Sequence, residues 1–283
     1  MQDAIFNELF QKIKGKIRKW ITPKKVRVKI ANGKEFFLYN PSFFLETEIY
    51  WQGFDNFDWE INTRKIWSIL CTKSCFIFDV GSNTGIFSML AKAQNPNASV
   101  HAFEPQPNIY EVLKKNNKIN DFDISCENLA VSNIIGNLPF YNYGQDSFSK
   151  RNTTAGSLNK KWRPNNQSSI EVDVIPLDSY IKNNGIKNVD LLKIDVETLE
   201  VEVLEGFKNH LYIFKPIIII EIQNTKIGNK LRTFFSDENY SFFNIDESKG
   251  LIPVNTLGEN KGLNYLICPN EKLELVENIG DNL

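Results

Sequence analysis

From Val26 to Tyr39 apolar and polar positions alternate around the pair Asn32-Gly33, which predicts a β-hairpin. Upstream, Ile5, Leu9, Ile13, Ile17 and Trp20 recur at helical spacing, with Phe6 and Phe10 beside them, and predict an amphipathic helix within residues 1–22. Downstream, an aromatic-rich stretch (Phe43, Phe44, Tyr50, Trp51, Phe54, Phe57, Trp59) leads into a helical pattern carrying Ile66, Ile69 and Leu70. Residues 1–70 therefore read as an N-terminal extension that covers or completes a sheet.

Beyond residue 71 the pattern changes to strands alternating with helices. Strands are predicted at 76–80, 99–103, 124–129, 189–194, 216–222, 241–246 and 263–268, and helices at 84–94, 107–119, 198–206 and 226–239. That alternation predicts an α/β domain over residues 71–283, a mainly parallel sheet with helices on both faces. Residues 132–175 interrupt it with two strands, 138–143 and 170–175, around a polar loop of functional length.

The run Asp79-Val-Gly81-Ser-Asn83-Thr-Gly85 sits where strand 76–80 gives way to a helix, so it lies at the carboxyl edge of the sheet, where open α/β folds bind ligands. Gly81 permits the sharp turn, Gly85 permits helix and strand to approach, and Asp79 is placed to order the amino-acid end of a nucleoside cofactor. Glu104 ends the next strand, 25 residues after Asp79, where a carboxylate accepts two hydrogen bonds from ribose hydroxyls. Asn83 stands where the dinucleotide pattern needs glycine, which disfavours nicotinamide. An ordinary strand-to-helix connection is the bland alternative for the glycines alone, and Glu104 weighs against it.

Of the 283 residues, 42% are hydrophobic and 24% charged, an ordinary globular composition. No stretch reaches the roughly 18 apolar residues of a membrane span, no secretory signal is read, and the expected location is the cytoplasm. Cys71, Cys75, Cys126 and Cys268 lack a metal-site spacing and read as reduced thiols. The net charge of −1 conceals an asymmetry: nine Lys and Arg against Asp3 and Glu8 give residues 1–30 a charge of +7, leaving −8 on the rest. The basic amphipathic tail suits either peripheral contact with an anionic membrane, at its inner face, through residues 1–22, or packing on the body of the protein. The acidic body argues against a nucleic-acid partner.

Taken in order, Asp79-Val-Gly81-Ser-Asn83-Thr-Gly85, Phe103-Glu104-Pro105-Gln-Pro107, Asn128-Leu-Ala130-Val-Ser132, Val189-Asp190-Leu-Leu-Lys193-Ile-Asp195-Val-Glu197, Lys215-Pro216 and Glu221 resemble the FkbM family of S-adenosylmethionine-dependent methyltransferases over about residues 50–225. The resemblance implies a class I methyltransferase (Rossmann-like) fold, S-adenosyl-L-methionine as cofactor, and methyl transfer to a hydroxyl of a sugar, glycan or related natural product. It places Asp79, Gly81, Ser82, Asn83, Gly85, Glu104 and Ala130 at the cofactor. Ala155-Gly156-Ser157-Leu158 looks like the family's Gly-Ser loop on the acceptor side, where Trp51 is also placed. Thr198-Leu199 departs from the Gly-Ala usual after the acid pair, and Thr198 is expected to serve as a helix N-cap.

An alcohol becomes a good nucleophile only on losing its proton, so a base is expected near the strand edge. His101 and His210 are badly placed and read as structural. Asp195, Glu221 and Glu197, at or just after strand ends, are the catalytic candidates, and Lys193 is positioned to pair with an acid. Asp195 and Glu221 are alternatively a carboxylate pair for a divalent cation, a version the pattern does not favour. N-methylation, a small non-sugar acceptor, and a noncatalytic membrane-associated protein on the same fold are the competing functions.

Overall fold

The computed structural model describes residues 17, 18, 20–143, 154–162, 167–235 and 239–280. Most of the tail stripe lies outside these residues, as does the centre of the polar loop in 132–175. The hairpin forms as its Asn-Gly pair predicts: β1 (Lys25–Lys29) pairs antiparallel with β2 (Glu35–Tyr39), Val28 opposite Phe36. Two helices follow, α1 (Phe44–Gln52) and α2 (Ile61–Cys71).

The alternating segments build β3 (Phe76–Val80), α3 (Ile86–Gln94), β4 (Ser99–Phe103), α4 (Pro107–Ile119) and β5 (Ser125–Glu127). After the insertion come α5 (Leu177–Asn184), β10 (Leu191–Ile194), α6 (Glu200–Glu205), α7 (Lys208–Phe214), β11 (Ile217–Glu221), α8 (Thr225–Arg232), β12 (Tyr240–Asp246), β13 (Gly250–Pro253), β14 (Asn264–Pro269) and α9 (Glu274–Gly280). They form an eight-stranded sheet in the order β13-β12-β14-β11-β10-β3-β4-β5. The strands from β11 to β5 run parallel, while β14, β12 and β13 join antiparallel. The apolar runs are buried on both faces, as a parallel sheet flanked by helices requires. Ile77, Leu191 and Ile219 belong to the core beneath Trp67 and Leu90, whereas Phe78, Leu192 and Ile218 face Leu204 and Phe207 on the other side.

Two local readings change. The strand expected over 124–129 is shorter, β5 alone; just beyond it β6 (Ala130–Val131) enters a second sheet with β7 (Gly136–Tyr143), β8 (Gly156–Ser157) and β9 (Gln167–Ile175), ordered β6-β9-β7-β8. The helix expected over 226–239 is shorter, ending at Arg232 with Thr233 as its C-cap. The hairpin covers the main sheet without joining it. Its outer backbone groups pair with side-chain amides of α4, Phe37 N–H donating to Asn120 Oδ1 and Tyr39 N–H to Asn116 Oδ1, both at 2.6 Å. Asn116 in turn donates to the carbonyl of Thr84 at 2.7 Å, so the hairpin is tied to the glycine turn.

Candidate active site

The chain leaves β3 towards β4 on one side and returns to β10 on the other. A crevice opens at that switch point, beyond the carboxyl ends of the strands. A cleft of ≈ 290 Å³ occupies it. Gly81 (φ 80°), Asn83 (φ 52°) and Gly85 (φ 86°) all take the left-handed conformation that coils the turn. A Cβ on Gly81 would lie 1.9 Å from the Asp195 carbonyl oxygen, so only glycine lets the turn pass against β10.

Glu104 reaches across the turn. Its carboxylate accepts from the Asn83 N–H at 2.9 Å and the Gln106 N–H at 2.8 Å, and it is 5% exposed. Burial pushes its pKa up to about 8, against the pull of those two amides. Asp79, also buried, accepts from Ser88 Oγ through Oδ2, while its Oδ1 and the Ser82 Oγ have no hydrogen-bond partner among the described residues. Burial raises the Asp79 pKa as well, with Lys193 opposing.

Because β10 and β3 are parallel with Lys193 in register with Asp79, both side chains leave the sheet on the same face. Lys193 is 3% exposed; its Nζ donates to Asp195 Oδ2 at 2.8 Å and sits 4.5 Å from the centre of the Phe87 ring. Burial alone would lower its pKa, but the surrounding Asp195, Glu60 and Asp79 carboxylates hold it above its ordinary value. Gln223 Nε2 bridges Glu197 Oε2 at 2.6 Å and Glu221 Oε2 at 3.0 Å. The cleft thus has one wall of glycine turn and acid and, opposite, a wall of carboxylates arranged about one lysine.

A family model described as the methyltransferase FkbM domain matches residues 79–242, more than half of the chain. The chain belongs to the FkbM methyltransferase family. Methyltransferase sdnD of Sordaria araneosa is 39% identical over 66 residues, 23% of this chain and 26% of that protein. The 31-O-demethyl-FK506 methyltransferase FkbM of Streptomyces tacrolimicus is 45% identical over 40 residues, 14% and 15% of the two chains. The matched segments span about a quarter or less of these relatives. Among solved structures, methyltransferase FkbM from Methylobacillus flagellatus KT aligns with a TM-score of 0.44 at 14% identity, covering 69% of this chain and 43% of that one. A SAM-dependent methyltransferase from Agrobacterium tumefaciens aligns with a TM-score of 0.45 at 9% identity, covering 88% and 71%. Family membership and the strand order together make this a class I methyltransferase fold.

Measured against the FkbM motifs, Asp79, Gly81, Ser82, Asn83, Glu104, Ala130, Gly156, Asp195, Glu197 and Glu221 all line the cleft. Gly85 stands behind it as the N-cap of α3, packed on Leu113. Two acceptor-side assignments need correction. The Ser157 hydroxyl is fully buried, donating to the Glu197 carbonyl at 2.7 Å and accepting from the Asn159 N–H at 2.9 Å, so it braces the loop from behind. Trp51 lies on α1, outside the cleft lining, with its Nε1 donating to Thr22 Oγ1 at 2.9 Å. Thr198 does not cap a helix either. It has φ 81° in the left-handed region, directly after Glu197 at φ 57°, and its Oγ1 accepts from Asn159 Nδ2 at 2.7 Å. The usual family glycine is replaced here by a β-branched residue in a glycine conformation.

Both histidines are structural as read. His101 Nδ1 pairs with the Tyr180 hydroxyl at 2.9 Å and burial lowers its pKa to about 4, while His210 Nδ1 pairs with Asp178 at 2.6 Å. The four cysteines are free thiols. Sequence reasoning passed over Gln223 and Glu60. Gln223 was findable, since it lies two residues beyond Glu221 on the same face; Glu60 arrives from the extension with no motif around it.

Proposed function

We propose that the protein is an S-adenosylmethionine-dependent methyltransferase that transfers a methyl group to a hydroxyl oxygen of a sugar, glycan or related natural product. The observation that carries the reading is one cleft with a diol-reading acid on one wall and a carboxylate cluster on the other. The residues present fit the cofactor. Asp79 Oδ1 and Ser82 Oγ are buried polar atoms without a partner among the described residues, suited to its amino-acid end, and Glu104 keeps lone pairs for the ribose hydroxyls. When bound, the cofactor supplies an already activated methyl on a sulfonium.

This chain's residues then have three tasks: to hold the acceptor oxygen in line, to exclude water, and to take the hydroxyl proton. Phe87, Phe103 and Leu129 supply the apolar part of the wall, and Asp195, Glu221 and Glu197 the acidic part. Oxygen as the target is supported by the name of the Streptomyces relative. The test is transfer of tritiated methyl from the cofactor to separated glycan, lipid, protein and nucleic-acid fractions of cells. Label in alkali-stable linkage to glycan is expected; label confined to protein or nucleic acid would overturn the acceptor class, and failure to bind the cofactor would overturn the activity.

We further propose that the basic tail contacts an anionic membrane surface. Among the described residues Trp20 is 86% exposed, Ile21 58% and Ile17 55%, beside Arg18, which pairs with Glu48 at 3.0 Å. No helix among the described residues is long and apolar enough to cross a membrane. The protein should sediment with anionic vesicles at low salt and be released as salt rises; indifference to such vesicles would leave the tail packed on the body.

A further inference from the structure

Glu60 ends the aromatic stretch of the extension, immediately before α2, outside the segment matched by the family model. The first backbone amides of a helix lack partners within it and need an acceptor from elsewhere. Here Glu247 performs that task from the turn after β12: its Oε2 accepts from the Asn62 N–H at 2.6 Å and its Oε1 from the Thr63 hydroxyl at 2.7 Å. Glu60 makes no cap bond, takes left-handed backbone angles (φ 47°, ψ 40°), and lines the cleft instead. Non-glycine residues held in that region concentrate where geometry serves a site. Its Oε2 is buried without a hydrogen-bond partner among the described residues.

The neighbouring acids are engaged differently. Asp195 gives Oδ2 to Lys193, and Glu221 gives Oε2 to Gln223. We infer that Glu60 is the catalytic carboxylate that removes the proton from the acceptor hydroxyl, delivered to the methyl-transfer site by the N-terminal extension. The inference rests on the methyltransferase reading above. In the step, the hydroxyl proton passes to Glu60 Oε2 as the oxygen forms its bond to the methyl carbon; the sulfur–methyl bond breaks with its electron pair kept on sulfur, and the proton leaves to solvent.

The charged groups facing Glu60 are Lys193 and Asp195 from the β10 edge, Glu221 from β11, and Arg64 one turn along α2. Burial pushes the Glu60 pKa up to about 7, Lys193 opposes, and Asp195 and Glu221 add to the rise. A base titrating there matches neutral conditions, losing little to protonation while retaining proton affinity.

The test needs no knowledge of the acceptor. A base within reach of a hydroxyl that faces the methyl group also lies close to the sulfonium. Ionised Glu60 should therefore favour cationic S-adenosylmethionine over its neutral demethylated product, S-adenosylhomocysteine. Calorimetry on the full chain from pH 6 to 8 should show the preference for S-adenosylmethionine rising about tenfold with pH, with proton release on binding. Glu60→Gln should flatten that rise while binding the demethylated product as the parent does, and Glu60→Asp should restore part of it. With the glycan fraction as methyl acceptor, Glu60→Gln should lose about a hundredfold in rate. A pH-dependent preference that persists in Glu60→Gln, or one flat in the parent, overturns the inference while leaving the methyltransferase reading intact. Loss of binding to both nucleosides in the parent protein overturns the reading and the inference together.

Discussion

The two walls of the cleft are built in opposite ways. The glycine-turn wall comes from one short stretch of chain, Asp79 to Glu104, whose backbone is coiled by left-handed residues at Gly81, Asn83 and Gly85. The opposite wall gathers Glu60, Lys193, Asp195, Glu197 and Glu221 from three separate regions, held by ion pairing with Lys193 and by the Gln223 amide behind Glu197 and Glu221. A wall made from contiguous backbone is rigid and should fail abruptly. A wall made from side chains brought together should fail by degrees.

The sharpest contrast is expected at Gly81→Ala, where the new Cβ would meet the Asp195 carbonyl at 1.9 Å in a backbone conformation that disfavours side chains. Roughly 3 kcal/mol of stability and all measurable cofactor binding should be lost, read by thermal melting and calorimetry. Tolerance of alanine would show that the cofactor wall yields after all. Glu104→Ala comes next. On the proposed function it removes the acceptor of two ribose hydrogen bonds worth about 1.5–3 kcal/mol each, so affinity should fall at least tenfold while the fold survives; unchanged affinity would remove this acid from the cofactor wall.

The pH response bears on both walls. Glu104 and Glu200 are pushed up to about 8 and Glu60 to about 7 by burial, from ordinary values near 4.5. The folded protein therefore holds more protons than the unfolded chain between pH 4.5 and 8, and stability should fall as pH rises through that window. Melting temperature against pH measures this, and Glu104→Gln should reduce the slope; a melting temperature that climbs from pH 5 to 8 would contradict these environments. The smallest effect is expected at Thr198→Gly. Relief of left-handed strain, about 1–2 kcal/mol, is offset by glycine's added freedom and by the lost Asn159 bond, leaving stability within about 1 kcal/mol of the parent. A larger loss would mean that the threonine hydroxyl holds the acceptor wall in shape.

This difference also explains what the sequence shows. The glycine turn, Glu104 and the strand-end acids are legible because their roles follow from position on one strand edge, and the hairpin because Asn32-Gly33 fixes its turn chemistry. Ser157 was misread because a hydroxyl in a motif gives no sign of which way it points, and here it turns back to Glu197. Thr198 was misread because a good capping residue can occupy a position whose backbone angles preclude capping. Glu60 was invisible because its freedom depends on Glu247, nearly two hundred residues away, taking over the helix start. The entry of Ala130 and Val131 into a second sheet likewise depends on a long-range pairing, Ala130 with Val174.

The short segment around β8 touches both walls: the Thr154 carbonyl accepts from Asn83 Nδ2 at 3.2 Å, and three residues on Ser157 donates to Glu197. It works as a tie bar between the two binding steps. A shift of the glycine turn on nucleoside binding would reach the loop through these bonds, so on the proposed function the two ligands should be thermodynamically linked, each changing the other's affinity by the same factor.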